Sequence, residues 1–280
     1  MGSDSAAAIM RMTPRDCALV TLLRELRYLT TTQIRQACFF SASLTTTSQR
    51  LTLLRRRGVI DCLTHRTFDD RRAFWCLTPL GRAVAAQLGE SVHGTPRSDA
   101  LAALQMDHLI ATNQIFCDLC TLYRERRLGP FRWYGSHHAG VDLDDTRVVP
   151  DAMILAAAAG GAAWMYCVEL DQGTMAAAAL AAKFRRYRYL QRVAEMRRVE
   201  PIWEARALSW ILFACKDACR AAVAARLAAE SGLERFWAGT AAELPAGLAD
   251  SVGLDPVLPP DALLGLSGGV VPPDGTEGRR

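Results

Sequence analysis

The chain has 280 residues, half of them hydrophobic, and a net charge of +4. That length suits two ordinary domains. No uninterrupted apolar run of about 18 residues is present to span a bilayer, and residues 1–30 lack a signal-type apolar core, so a cytoplasmic globular protein without a membrane partner is expected. Its nine cysteines read as reduced thiols rather than as a disulfide framework.

Charge is uneven along the chain. Residues 1–97 hold fourteen arginines against seven acids, a balance of +7, which leaves −3 for residues 98–280. The front part is therefore the part expected to meet phosphate. Residues 1–11 read as a flexible leader. Thr13-Pro14 opens a first helix, with a hydroxyl for the cap and proline for the first turn, and Leu19, Leu22, Leu23 and Leu26 form its apolar face. A second helix follows Thr30-Thr31-Thr32. A third runs from Leu44 to Arg57 and stops at Gly58.

Two short β-prone runs, Val59 to Leu63 and Ala73 to Leu77, flank the charged stretch His65 to Arg72 and read as a hairpin. Thr78-Pro79 starts a further helix. Residues 12–89 then make an amino-terminal domain of three helices, a basic hairpin and a helix. This order, with the Leu51 to Ile60 ending of the third helix, resembles the winged helix-turn-helix DNA-binding domains. On that reading the third helix enters the major groove of double-stranded DNA with Thr45, Thr46, Gln49 and Arg50 toward base edges. Arg55, Arg56, Arg57, Arg66, Arg71 and Arg72 meet phosphates.

Residues 90–98 are rich in glycine and polar residues and read as a linker. A second domain is expected over residues 99–243, beginning with a long helix from Asp99 to Arg127. Within it Cys117 and Cys120 have C-x-x-C spacing but no second ligand pair, and read as core packing. Phe131 to Tyr134 is a first strand. Two apolar runs, Val148 to Ala156 and Ala162 to Leu170, are separated by Gly160-Gly161 and read as paired strands.

Acids interrupt these runs. Asp151 lies in the first, and Glu169 and Asp171 close the second. Alternation puts Glu169 and Asp171 on one face, and Asp151 joins them from the neighbouring strand. Gathered carboxylates repel by about 4 kcal/mol per pair at an effective dielectric near 20, so such a cluster calls for a proton, a cationic side chain or a metal. A helix from Met175 to Val193 follows, with Lys183, Tyr187 and Leu190 on one face and Arg185, Arg186, Arg188 and Arg192 spread over the others. Leu208 to Cys215 is a fourth strand, Lys216 to Glu230 a helix, and Phe236-Trp237 a last short strand. Residues 244–280 read as a largely disordered tail.

The order helix, three strands, helix, strand resembles the α-β-β-β-α-β core of the restriction-endonuclease-like nucleases, giving an overall α/β (α+β) fold class. Pro150-Asp151 matches their PD element and Glu169 the first acid of the second element, whereas Asp171 stands where they place a lysine. Lys183 to Tyr187 resembles the helical motif onto which some members move the basic partner. The resemblance implies Asp151, Glu169 and Asp171 as ligands of Mg²⁺ or Mn²⁺, with Lys183 and Tyr187 completing the site.

More of the chain is similar to the replication-relaxation family. It shares V-P-D at Val149 to Asp151, E-L-D-x-G-T at Glu169 to Thr174, K-F-x-x-Y at Lys183 to Tyr187, and a stretch beginning at His108. That resemblance implies a DNA-binding protein of plasmid or mobile-element replication, mobilisation or its regulation, with a nuclease-like second domain, and does not by itself establish cutting. Homodimer formation and replication or mobilisation proteins are the expected associations. Two alternatives stand beside this reading: an active metal-dependent DNA endonuclease or nickase, and a ligand-sensing winged-helix transcriptional regulator.

Overall fold

A computed structural model describes residues 9–66, 71–88, 103–143, 146–157, 163–196 and 209–251. The chain is an α/β protein, and it divides into two compact units between Arg124 and Glu125.

In the first unit, α1 (Pro14–Leu26) begins where Thr13 and Asp16 form a reciprocal capping box with proline at the first turn;. A two-residue strand β1 (Leu29–Thr30) leads into α2 (Thr31–Ala37), whose Thr30 and Gln33 repeat the same device. Helix α3 (Leu44–Arg56) is capped by Ser43, and the chain leaves it through Gly58 at φ 72°, a left-handed angle that glycine adopts without steric cost. The hairpin β2 (Ile60–Arg66) and β3 (Arg71–Leu77) pairs antiparallel, and β1 adds to β3 to give the order β1-β3-β2. Helix α4 (Pro79–Leu88) follows. Gly81 on α4 faces Val59 so closely that an added Cβ would stand 2.0 Å from the Val59 carbonyl oxygen.

Helix α5 (Ala103–Arg124) packs within this first unit, not with the sheet domain that composition assigned it to. Met106 and Ile110 join Tyr28, Phe74 and Cys76 in one apolar cluster. Polar groups fix the seat: Asn113 Nδ2 donates to the carbonyls of Leu26 and Tyr28 at 2.9 Å each, and Gln33 Nε2 donates to that of Ile110 at 2.8 Å. The Leu26 carbonyl, which also accepts the Tyr28 amide at 2.7 Å, and the Tyr28 carbonyl thus both take a side-chain donor from α5;. The expected linker, 90–98, lies outside the described residues, as do residues 1–8 of the expected leader.

The second unit is built on a five-stranded sheet of order β10-β9-β8-β7-β4. Strands β4 (Phe131–Gly135), β7 (Ala152–Ala157) and β8 (Ala163–Asp171) pair antiparallel. Helix α6 (Ala177–Met196) crosses from β8 to the parallel strand β9 (Ser209–Cys215), and α7 (Ala218–Glu230) crosses from β9 to the parallel β10 (Phe236–Thr240). Met153 and Leu155 of β7, Met165 and Cys167 of β8, and Ile211 and Phe213 of β9 pack in one core with Phe184 and Tyr187 of α6 and Ala224 of α7.

Two expectations need correction here. The apolar run from Val148 is not one strand. A small hairpin of β5 (Val141–Leu143) and β6 (Thr146–Val148) ends at Val148, and β7 begins only at Ala152. Pro150 lies between them and has no amide hydrogen to give a ladder. The tip of that small hairpin, like the Gly160-Gly161 turn, lies outside the described residues. The chain also remains ordered past residue 243. Helix α8 (Leu244–Ser251) buries Leu244 and Leu248, a pair spaced four apart on one face;. Gly247 allows close approach, since an added Cβ there would stand 2.9 Å from Trp237 Nε1. No helix among the described residues is long and apolar enough to cross a membrane.

Candidate functional site

Asp151 sits one residue before β7, and continuing the Ala152–Val168 register places it opposite Glu169 on β8. Directly opposed residues of an antiparallel pair share a face, so the two carboxylates stand together. Asp151 Oδ2 accepts the Leu170 amide at 2.8 Å, which ties the Val-Pro-Asp turn to the end of β8.

Glu169 is 1% exposed. Its two oxygens are taken by α6: Oε2 by the Lys183 ammonium and Oε1 by the Tyr187 hydroxyl. Lys183 and Tyr187 are four apart, so both reach the same point above the strand. Burial and the Asp151 charge together outweigh these two partners and push the Glu169 carboxyl up to about 8;. Burial and the Glu169 charge also drive the Tyr187 phenol well above its ordinary value. The hydroxyl is therefore a donor here.

Asp171 shares the strand face but not the partners. Its Oδ2 is bound by Arg220 Nε of α7 and its Oδ1 accepts the Gly173 amide at 2.9 Å. Arg220 also donates to the Met175 carbonyl at 2.6 Å, so one guanidinium spans the turn between β8 and α6. Gly173, at φ 81°, lies under the Lys216 side chain, which an added Cβ would meet at 2.7 Å. The expected trio thus divides into an Asp151–Glu169 pair served by α6 and an Asp171 served by α7.

In the first unit, Thr45, Thr46 and Gln49 lie exposed on the early turns of α3, and Arg55, Arg56 and Arg57 are exposed at its end. Thr46 also lies within the Ser43 cap, with the two hydroxyls 2.9 Å apart. Arg55 pairs with Asp61 at 3.1 Å and Arg57 donates to the Arg11 carbonyl at 2.8 Å. Arg66 and Arg71 occupy opposed register positions at the end of the hairpin, with Arg72 opposite His65. Arg50 is tied into the helix packing: its guanidinium binds both oxygens of the fully buried Asp16 on α1. Burial raises the Asp16 carboxyl, but the Arg50 and Thr13 bonds outweigh it and hold the group below its ordinary value.

A family profile described as replication-relaxation matches residues 20–200. The chain belongs to the replication-relaxation family. The match covers most of the first unit and, in the second, Asp151, Glu169, Asp171, Lys183 and Tyr187. The name of this replication-relaxation family suggests a role in replication or mobilisation. No curated protein and no solved structure matches the chain.

Arg220, which lies past the matched stretch, is the site residue that sequence reasoning missed. Its available signal was positional: Asp217 caps α7, accepting the Arg220 amide at 2.8 Å, so a long side chain three residues into the helix sits beside the end of the neighbouring strand.

Proposed function

We propose that this replication-relaxation protein binds DNA through its first unit, in plasmid or mobile-element replication, mobilisation or the control of either, and that its second unit keeps a nuclease-like acidic site without cutting. One observation carries the second half of this reading: each buried acid of the E-L-D motif already has a cation from a following helix, Lys183 for Glu169 and Arg220 for Asp171. What a divalent metal would supply is supplied by these side chains and, at Glu169, by the proton that burial and Asp151 favour, and the remaining lone pairs go to Tyr187 and the Gly173 amide;. The DNA half rests on the exposed residues of α3 and the arginines of the hairpin, backed by the basic front part of the sequence;.

A second reading has support of its own. Asp151 and Glu169 face each other across β7 and β8, and two hard oxygen donors with an adjacent lysine suit Mg²⁺ or Mn²⁺. Such an ion would polarise a scissile phosphate, while Lys183 would turn from Glu169 toward the developing charge. Asp171 would stay with Arg220.

Supercoiled plasmid incubated with the DNA-binding protein and Mn²⁺ decides between them. The accessory reading expects no nicked or linear product. Product that disappears in both Asp151→Ala and Glu169→Ala would establish the nuclease instead. Failure of the protein to retain any duplex would remove the DNA reading itself.

A further inference from the structure

The site uses only one side of α6. Its inner face carries Leu180, Phe184, Tyr187 and Leu190 into the core, with Lys183 over Glu169. The exposed described residues of the same helix are three alanines at 177–179, then Arg185, Arg186, Tyr189 and Arg192. Every charge among these exposed described residues is therefore positive. Neither Arg185 nor Arg186 has an acid three or four positions away, so no i,i+4 partner is built in for either. Helix α7 shows the contrasting habit, with exposed Arg226 paired to Glu230 at 2.6 Å. Arg188 at the edge is already committed, its guanidinium lying against Gly232 so closely that an added Cβ would be 2.9 Å from Cζ.

Tyr189 matters as much as the arginines. It is 42% exposed, although the helix beneath it offers a core that takes Phe184 and Tyr187 completely. Arg185, Tyr189 and Arg192 follow at i, i+4 and i+7, one stripe with the ring between two guanidinium groups. The arginines at its ends are about 10 Å apart along the axis at 1.5 Å per residue, roughly the axial rise of three nucleotides at 3.4 Å each. Guanidinium groups bind phosphate in a fork, and an exposed ring offers a stacking platform to a base. A duplex presents phosphates but keeps its base faces stacked inside. Only a single strand uses both parts of this stripe.

We propose that the outer face of α6, formed by Arg185, Arg186, Tyr189 and Arg192, docks single-stranded DNA, with the arginines on the phosphates and a base stacked on Tyr189. This rests on the DNA-binding reading above and adds to it a second nucleic-acid surface, on the helix whose opposite side holds the acidic site.

The test is fluorescence anisotropy on the full chain, with an oligothymidylate of about 12 nucleotides, within the usual site sizes of single-strand binders, and a duplex of about 20 base pairs, two helical turns. Tyr189→Ala is expected to weaken single-strand binding about tenfold, Tyr189→Phe to restore it, and the Arg185→Ala/Arg186→Ala/Arg192→Ala variant to reduce the slope of log affinity against log salt by about 2. Duplex affinity stays within about twofold in all three, which also shows them folded. Unchanged single-strand affinity and slope would overturn the proposal, as would equal weakening of single strand and duplex. Wild-type protein that binds the duplex but not the oligonucleotide removes this surface alone, whereas protein that binds neither removes the DNA reading as well.

Discussion

Glu169 is the residue on which the second unit's chemistry turns, and its environment fixes a pH dependence. The carboxyl titrates near 4.5 in the unfolded chain and at about 8 in the fold, so between those values the folded state holds the extra proton. The stabilisation is complete below about 4.5 and is lost as pH rises toward 8. Urea unfolding at a series of pH values across that window is expected to show stability falling with pH by up to about 1.4 kcal/mol per pH unit, and Glu169→Gln to flatten the trend. An equal slope in the variant would show that other groups set it. At Arg50 the expectation concerns folding rather than base reading. Arg50→Ala leaves the Asp16 carboxylate buried without its fork and is expected to cost about 2 kcal/mol in chemical denaturation, with Asp16→Ala in the same chain recovering part of the loss. The individual acids Asp151 and Glu169 were legible from strand alternation and spacing. The partners Arg50 and Arg220 were not, because a cation pairs with whichever acid the tertiary fold delivers: Asp16 lies 34 positions from Arg50, and Asp171 lies 49 from Arg220.

At the scale of elements, the first unit was readable because its signals are local. Thr13-Pro14, Thr30 with Gln33, and Gly58 mark helix ends by chemistry that acts within four residues;. Pro150 was the missed local signal: a missing amide hydrogen outweighs the apolar continuity of Val148 to Ala156, so the acid-bearing turn stands between two sheets rather than inside a strand. Helix α8 was missed for the opposite reason, since its leucines count only once Trp237 and β10 provide something to pack against. The contact between α4 and the hairpin makes a sharp test. Gly81→Ala puts a methyl group into the Val59 carbonyl, and because backbone must give way rather than a side-chain tip, a loss of about 2 kcal/mol or more is expected in thermal or urea unfolding. A neutral variant would show that the helix slides to make room.

For the whole molecule, the division at Arg124 changes what counts as the first folding unit. The sequence placed the boundary where composition turns polar, at 90–98, but composition reports exposure rather than which partner covers a helix. A fragment spanning residues 9–124 is expected to unfold cooperatively. One ending at residue 88 loses the Asn113 and Gln33 bonds and uncovers Tyr28 and Phe74, and is expected to bind a hydrophobic dye and melt without a sharp transition. Equal cooperativity in the shorter fragment would mean that α5 is dispensable to it.

The two groups that grip Glu169 come from 14 and 18 positions further along the chain, and the strand and helix that bear them are consecutive. Assembling this constellation therefore demands little loop closure, and it can take shape as soon as a single β-strand and the helix behind it collapse together. Arg220 must instead be brought in from beyond a whole crossover, 49 positions from Asp171. During refolding, quenching or shifting of Tyr187 should thus precede closure of the Asp171–Arg220 link, so that the lysine-tyrosine clasp serves as a nucleus around which the remainder of the sheet is laid down.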